Sequence, residues 1–115
     1  MTRAVVVRYR TRPDAADDNE RLIKAVFEEL AALRPAGIRY FTFRADETTF
    51  VHTAVFDSDA NPLEDLPAFQ AFTSGLADRC EEPPAPTAGR LVGSYPVAPG
   101  RRPKSGPGWD SAASP

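Results

Sequence analysis

Cysteine and histidine are scarce in this sequence of 115 residues, which contains one of each, Cys80 and His52. A single cysteine excludes an internal disulfide and any metal site built from several cysteines. No apolar run is long enough to span a membrane, and the run at Ala4–Val7 is too short to be the core of a secretory signal. We therefore expect a cytoplasmic protein with no structural metal and no membrane partner.

Excess positive charge is also missing, because the net charge is −2 and the sequence pI is near 5.4. The last stretch of the chain is basic, so the part before it is more acidic than the whole. An acidic domain is a poor partner for the phosphates of a nucleic acid. RNA-recognition domains are a possible class, since they combine the same kinds of helices and strands that this sequence predicts. They bind RNA through a strand that combines basic, glycine and aromatic residues, and this sequence lacks such a strand. We expect no nucleic-acid partner.

The segment Thr49–Asp57 is predicted to be a buried β-strand, because it is apolar on both sides of a two-residue alternation. Its two faces hold, in turn, Phe50, His52, Ala54 and Phe56, and then Val51, Thr53 and Val55. Since both faces are apolar or nearly so, both should be covered by other parts of the structure. The single histidine of the chain lies in the middle of the aromatic face.

Hydrophobic periodicity, caps and prolines predict the remaining elements. In chain order, these are a strand at Ala4–Tyr9, a helix at Asn19–Leu33, a strand at Ile38–Arg44, a helical turn at Pro62–Leu66, a helix at about Pro67–Arg79 and a strand at Arg90–Tyr95. Residues 1–97 form the predicted domain. The segment 98–115, which contains Trp109, is rich in Pro, Gly and Ser and is expected to be disordered.

This order predicts an α+β fold of the ferredoxin-like βαββαβ type, with a four-stranded antiparallel sheet and both helices on one face. Two helices cover only one face of such a sheet. We expect the other face to remain apolar and to carry Ile38, Tyr40, Val51, Thr53 and Val55. Monomers rarely leave such a patch bare, so the predicted partner is a second copy of the chain, in a homodimer formed through the sheet face.

The predicted pocket lies on the helix-covered face. A four-residue loop, Ala45–Thr48, would pair Phe41 with His52 and bring both to that face. The candidate site has His52 as the catalytic residue, and its substrate-binding residues are Tyr9, Phe41, Phe50, Phe56 and Phe72. The alternative is a filled core in which His52 bonds to a backbone carbonyl or to Thr73.

The strand Phe50–Asp57, the loop after it and the segment Leu66–Phe72 resemble the antibiotic biosynthesis monooxygenase superfamily of dimeric α+β barrels. The resemblance covers about Thr2 to Tyr95. It implies a homodimer whose sheets pack together, and a ligand cavity between sheet and helices in each subunit. Where active members of the superfamily typically carry an asparagine and, four residues later, a tryptophan, this sequence has His52 and Phe56.

The resemblance further implies a monooxygenase without a cofactor, acting on a polycyclic aromatic or phenolic substrate. In that reading His52 acts as a base or as a hydrogen-bond donor to a substrate oxygen. The alternative is a non-catalytic dimer that binds a small aromatic molecule or serves a structural role.

Overall fold

A computed structural model describes residues 2–95. Its strands are β1 (Arg3–Thr11), β2 (Ile38–Arg44), β3 (Thr49–Phe56) and β4 (Cys80–Gly89), and its helices are α1 (Ala16–Leu33), α2 (Pro67–Ser74) and α3 (Leu76–Arg79). Short 3₁₀ turns at Pro13–Ala15 and Pro62–Asp65 precede α1 and α2. The predicted boundary at residue 97, the tail and Trp109 lie outside the described residues.

The four strands form one antiparallel sheet in the order β2-β3-β1-β4. The predicted ferredoxin-like α+β fold is therefore confirmed. Alternation along the strands gives the sheet two faces, and the helices cover the one that carries Tyr9, Phe50 and His52. The core between sheet and helices also includes Ile23 and Val26 of α1.

Helix α1 buries the apolar stripe that its 3.6-residue period predicts, but the stripe is shorter than expected. Leu33, whose position continues the stripe by the same period, is 62% exposed. The helix ends just after it, since Arg34 adopts a left-handed conformation with φ of 49° and its N–H donates to the carbonyl of Leu30. The start lies three residues earlier than predicted, at Ala16, so Asn19 is not the first residue of the helix but lies in its first turn, where it is fully buried.

The sequence pattern predicts the last strand at Arg90–Tyr95, but this strand lies at Cys80–Gly89. Its prolines at positions 83, 84 and 86 argue against a strand because a proline cannot donate to a hydrogen-bond ladder. The sheet order resolves the conflict, since β4 is an edge strand and pairs only with β1. One side of an edge strand needs no N–H donors, so prolines are tolerated there.

The predicted pairing of β2 with β3 is wrong by one residue. Thr42, not Phe41, lies opposite His52. The reason is Asp46, whose carboxylate accepts hydrogen bonds from the backbone N–H groups of Thr48 (3.0 Å) and Thr49 (2.8 Å). These bonds close a loop of residues 46–48, while the N–H of Ala45 already pairs with the carbonyl of Thr49 at 2.8 Å.

The changed register exchanges the two faces of β2. Ile38 and Tyr40, predicted on the open face, pack toward the helices. Phe41 and Phe43 take their places on the open face, where they are 53% and 55% exposed. Phe41 therefore lies away from the predicted pocket.

Residues after β4 cross the open face at one end of the sheet. Strands β4 and β2 lie at opposite edges, yet Arg39 of β2 donates from Nη1 to Ser94 Oγ at 3.1 Å. Val55, which pairs with Arg39 and shares its face, is only 5% exposed. We conclude that the chain itself covers Val55, whereas Val6, Phe41 and Phe43 stay open.

We expect Asp46→Ala to lower the melting temperature by several degrees, because three hydrogen bonds to one carboxylate are lost, including that from the Thr49 hydroxyl at 3.1 Å. The matched control is Glu47→Ala in the same loop, since only the backbone carbonyl of Glu47 takes part in the loop's hydrogen bonds with Arg44. Melting curves recorded by circular dichroism measure both. Equal effects of the two variants would show that Asp46 does not hold the register.

Candidate functional site

A cavity of about 230 Å³ lies between the sheet and the helices. Its floor is the helix-covered face of β1 and β3, where Val5, Val7 and Ala54 are short side chains between larger neighbours. Its walls come largely from β3 and from the segment that contains the second 3₁₀ turn, α2 and α3; they are Phe56, Leu63, Phe69, Phe72 and Leu76. The short floor residues leave the space open, and the lining is mainly apolar.

One end of the cavity is polar because the ring of His52 lies there with both of its nitrogens hydrogen-bonded. Nε2 lies 2.8 Å from the hydroxyl of Tyr9 on β1. Nδ1 lies 2.5 Å from the hydroxyl of Tyr40 and 3.0 Å from that of Thr42, both on β2. Phe72 of α2 packs against the imidazole ring with 5.3 Å between centroids. Three strands and a helix therefore position one side chain.

The hydrogen bonds continue from Tyr9 into the helices. Asn19 of α1, which is fully buried, donates from Nδ2 to the Tyr9 hydroxyl at 2.8 Å. Arg79 at the end of α3 donates from Nε to Asn19 Oδ1 at 2.9 Å and from Nη2 to the carbonyl of Phe72 at 2.6 Å. We call the set Arg79, Asn19, Tyr9, His52, Tyr40 and Thr42 the histidine network.

Burial keeps the network uncharged except at Arg79. Desolvation lowers the pKa of His52 to about 4, so its imidazole is neutral at pH 7. Burial also raises the pKa of Tyr9, although the hydrogen bond from Asn19 partly opposes it, and burial raises the pKa of Tyr40. The polar end of the cavity therefore presents neutral hydroxyl and imidazole groups.

The end of the cavity opposite the histidine network carries a cation. Arg3 lines it, with its guanidinium 4.3 Å from the centroid of the Phe56 ring. Its Nη2 donates to the backbone carbonyl of Asp59 at 3.4 Å. The cavity thus runs along the sheet from the histidine network to Arg3.

The structure brings four of the six predicted site residues to the cavity, which are His52, Tyr9, Phe56 and Phe72. Phe50 is fully buried beside it and stacks on Tyr9 with 5.7 Å between ring centroids, but it does not line the space. Phe41 lies on the opposite face of the sheet, because of the register of β2. The alternative partners of His52, a backbone carbonyl or Thr73, are wrong, because both ring nitrogens bond to hydroxyl groups of other residues. The Thr73 hydroxyl bonds instead to the carbonyls of Phe69 and Gln70.

Sequence reasoning missed four members of the histidine network: Tyr40, Thr42, Asn19 and Arg79. The predicted register places Tyr40 on the wrong face with the rest of β2. A signal for Asn19 existed, since its position falls on the same helical face as Ile23 and Val26 and an asparagine there needs a buried partner. Nothing local marks Arg79, which meets Asn19 across 60 residues of sequence.

Metal binding and membrane insertion receive no support from the described part of the chain. Within residues 2–95, no group of three His, Cys, Asp or Glu side chains could hold a metal ion. No helix in the same range is long and apolar enough to cross a membrane.

We expect acidification from pH 7 to pH 4 to reduce the free energy of unfolding by roughly 3 kcal/mol through His52 alone. The unfolded imidazole takes up a proton as the pH falls through its ordinary pKa of 6.5, whereas the folded one stays neutral until about pH 4. Between these values the unfolded state binds more protons, so stability falls with pH. Urea denaturation across this range measures the loss, and His52→Gln should show a loss smaller by that amount. Equal losses in the free energy of unfolding of the wild-type and His52→Gln proteins over this pH range would contradict the prediction.

A scan against models of protein families finds no match, and a search of curated proteins finds no significant match. Solved structures do match. Rv0793 from Mycobacterium tuberculosis is 22% identical, with 83% of this chain and 99% of that chain covered at a TM-score of 0.67. A structure described as an antibiotic biosynthesis monooxygenase is 17% identical, with 81% and 100% covered at a TM-score of 0.65.

SnoaB from Streptomyces nogalater, described as a cofactor-independent oxygenase and solved as a mutant, is 15% identical to this chain. The match covers 84% of this chain and 98% of that one at a TM-score of 0.61. At such identities a structural likeness establishes the fold alone. The chain has the fold of proteins described as antibiotic biosynthesis monooxygenases, as its sequence resemblance implies.

Proposed function

We propose that this protein binds a flat aromatic molecule of one or two rings in the cavity beside His52. The observation that carries the proposal is the cavity itself, an apolar space walled by Phe56, Phe69 and Phe72 with hydroxyl and imidazole groups at one end. Ligand sites in proteins are mostly apolar concavities with a few placed polar groups. A filled core would leave no such space.

The volume of the cavity limits the size of the ligand. A cavity of about 150 Å³ is enough for benzene in an engineered protein core. The 230 Å³ found here therefore suits one or two rings better than the polycyclic substrate implied by the family resemblance. Arg3 at the end opposite the histidine network favours a ligand that is neutral or negative at that end.

Oxidation of that ligand by O₂ is the second candidate function, and the likeness to a cofactor-independent oxygenase favours it. In the reaction of a phenol such as 1-naphthol, one oxygen atom of O₂ becomes the second carbonyl oxygen of a quinone. The other oxygen leaves as water with two hydrogens of the phenol, so no added reductant is required.

His52 alone is a weak base for such a reaction. A phenol has a pKa of about 10, and the pKa of His52 is about 4, so proton transfer between them is uphill by about 8 kcal/mol in the free protein. The role that the geometry favours for His52 is to hold a hydrogen-bonding group at the end of the cavity. Ligand binding is therefore the better supported function.

We expect Ala54→Leu to weaken the binding of 1-naphthol about tenfold or more while the protein stays folded, because the larger side chain occupies the floor of the cavity. Ala32→Leu is the matched control, since the same substitution is made on an exposed position of α1. Isothermal titration calorimetry measures the binding. Equal affinities of the two variants for 1-naphthol would show that it does not bind in this cavity.

Oxygen uptake by the wild-type protein, recorded with the same 1-naphthol, separates the two candidate functions. Consumption of O₂ with formation of naphthoquinone, lost in Ala54→Leu, indicates the oxygenase. Binding without oxygen uptake indicates a protein that only binds its ligand.

We also propose that the open face of the sheet pairs with the same face of a second copy. Val6 on β1 and Phe41 on β2 both lie beside Thr53 of β3, one on each side of it, and Phe43 follows Phe41 on the same face. All three apolar side chains are exposed, and monomers rarely leave such apolar patches bare. This surface differs from the predicted one in two ways: Phe41 and Phe43 replace Ile38 and Tyr40, and Val55 is buried within the chain.

We expect Phe43→Asp to convert a dimer to a monomer, because it places a charge in an apolar contact. Leu33→Asp is the control, since Leu33 is equally apolar and 62% exposed but lies at the end of α1. Light scattering after size-exclusion chromatography gives both masses. A wild-type monomer, or a Phe43→Asp dimer, would contradict the proposal.

A further inference from the structure

The hydrogen bonds of the histidine network run in one direction from donor to acceptor, and Arg79 determines that direction. A guanidinium can donate hydrogen bonds but cannot accept them. Because Arg79 Nε donates to Asn19 at 2.9 Å, the atom of the amide that faces it must be the oxygen. The amide nitrogen of Asn19 therefore faces Tyr9, at 2.8 Å from its hydroxyl oxygen.

The direction passes from Asn19 to His52 through the Tyr9 hydroxyl. An amide NH₂ group cannot accept a hydrogen bond, so the proton of Tyr9 cannot point toward Asn19. The other hydrogen-bonding neighbour of that oxygen is His52 Nε2 at 2.8 Å. A proton on Nε2 would leave the buried Tyr9 proton without an acceptor, at the cost of an unsatisfied buried donor. Tyr9 therefore donates to an unprotonated Nε2.

A neutral imidazole with an unprotonated Nε2 carries its proton on Nδ1, which must then donate. Its neighbours are the oxygens of Tyr40 at 2.5 Å and Thr42 at 3.0 Å. Neither hydroxyl can now donate to Nδ1. The Tyr40 oxygen is the nearer acceptor for this proton.

With the bond from Nδ1, the Tyr40 oxygen acts as an acceptor, so its own proton points away from His52. Tyr40, unlike Thr42, lines the cavity. In the opposite tautomer, Nδ1 would accept the Tyr40 proton, and the unused proton would be that of Tyr9, which also lines the cavity but is only 2% exposed, whereas Tyr40 is half-buried. The tautomer of His52 thus decides which tyrosine can donate into the cavity.

We propose that Arg79 and Asn19 are positioning residues that hold His52 in its Nδ1–H tautomer, so that the Tyr40 hydroxyl donates a hydrogen bond into the cavity. The site then selects a small aromatic ligand with an acceptor oxygen, such as a ketone, a quinone or a phenolate. The part that concerns the ligand rests on the proposed function; the part that concerns the tautomer does not.

The tautomer is measured directly by ¹⁵N NMR, and the single histidine of the chain makes the assignment unambiguous. Couplings from the ring protons Hδ2 and Hε1 show which nitrogen carries the proton. At pH 7 we expect Nδ1–H in the wild-type protein, although the free side chain prefers the other form. A wild-type spectrum of Nε2–H overturns the proposal and requires no variant.

The substitution Asn19→Asp reverses the donor and acceptor roles along the hydrogen bonds to Tyr9 and His52, while the new carboxylate still accepts from Arg79. A carboxylate accepts from Tyr9, so Tyr9 accepts from Nε2–H and we expect the tautomer to change. The matched control is Asn61→Asp, because Asn61 caps its turn with Oδ1 as acceptor of the Leu63 N–H and a carboxylate can do the same. A folded Asn19→Asp protein that keeps Nδ1–H overturns the positioning role; if this variant does not fold, the wild-type spectrum decides.

Affinities for two bicyclic probes test the ligand class. 1-Tetralone carries a carbonyl acceptor, and tetralin is the same skeleton without oxygen. We expect wild-type protein to prefer the ketone by about tenfold, and Tyr40→Phe to lose that preference. Equal affinities in the wild-type protein overturn the selection of an acceptor, whereas no binding of either probe counts against the proposed function and leaves the tautomer to the NMR measurement.

Discussion

A buried, uncharged imidazole imposes the strictest condition on this structure. His52 is 5% exposed, and burial lowers its pKa to about 4, so the ring stays neutral and both nitrogens require partners inside the protein. Tyr9 satisfies one nitrogen, and Tyr40 and Thr42 satisfy the other. These partners come from both strands that flank β3, so the condition is met only in one alignment of the sheet.

The alignment of β2 is decided at a distance from the cavity, in the hairpin loop. The carboxylate of Asp46 draws the N–H groups of Thr48 and Thr49 into the loop and shortens it by one residue. A slip of one residue would turn Phe41 toward His52 and Tyr40 away from it. The cavity would then lose a hydroxyl group and gain another aromatic wall, so a surface turn determines whether its end is polar.

The two faces of the sheet differ in the size of their side chains and in their cover. On the helix side, Val5, Val7 and Ala54 are too short to fill the space below α2 and α3, and a cavity results. On the other side, the chain after β4 covers Val55, while Phe41 and Phe43 remain exposed. Neither feature follows from the strand pattern alone, because both depend on what lies opposite each strand.

The sequence by itself determined the order and type of the elements, the ferredoxin-like fold and the place of His52 on the helix-covered face, since these follow from local periodicity and from capping residues. It did not locate β4, because a proline-rich segment becomes a strand only at the edge of an existing sheet. Nor did it identify Tyr40, Asn19 and Arg79 as partners, because their meeting depends on strand register and on contacts between residues far apart in the chain. Local preference decides what a segment becomes, whereas the hydrogen bonds of a buried group are decided only when all its neighbours are in place.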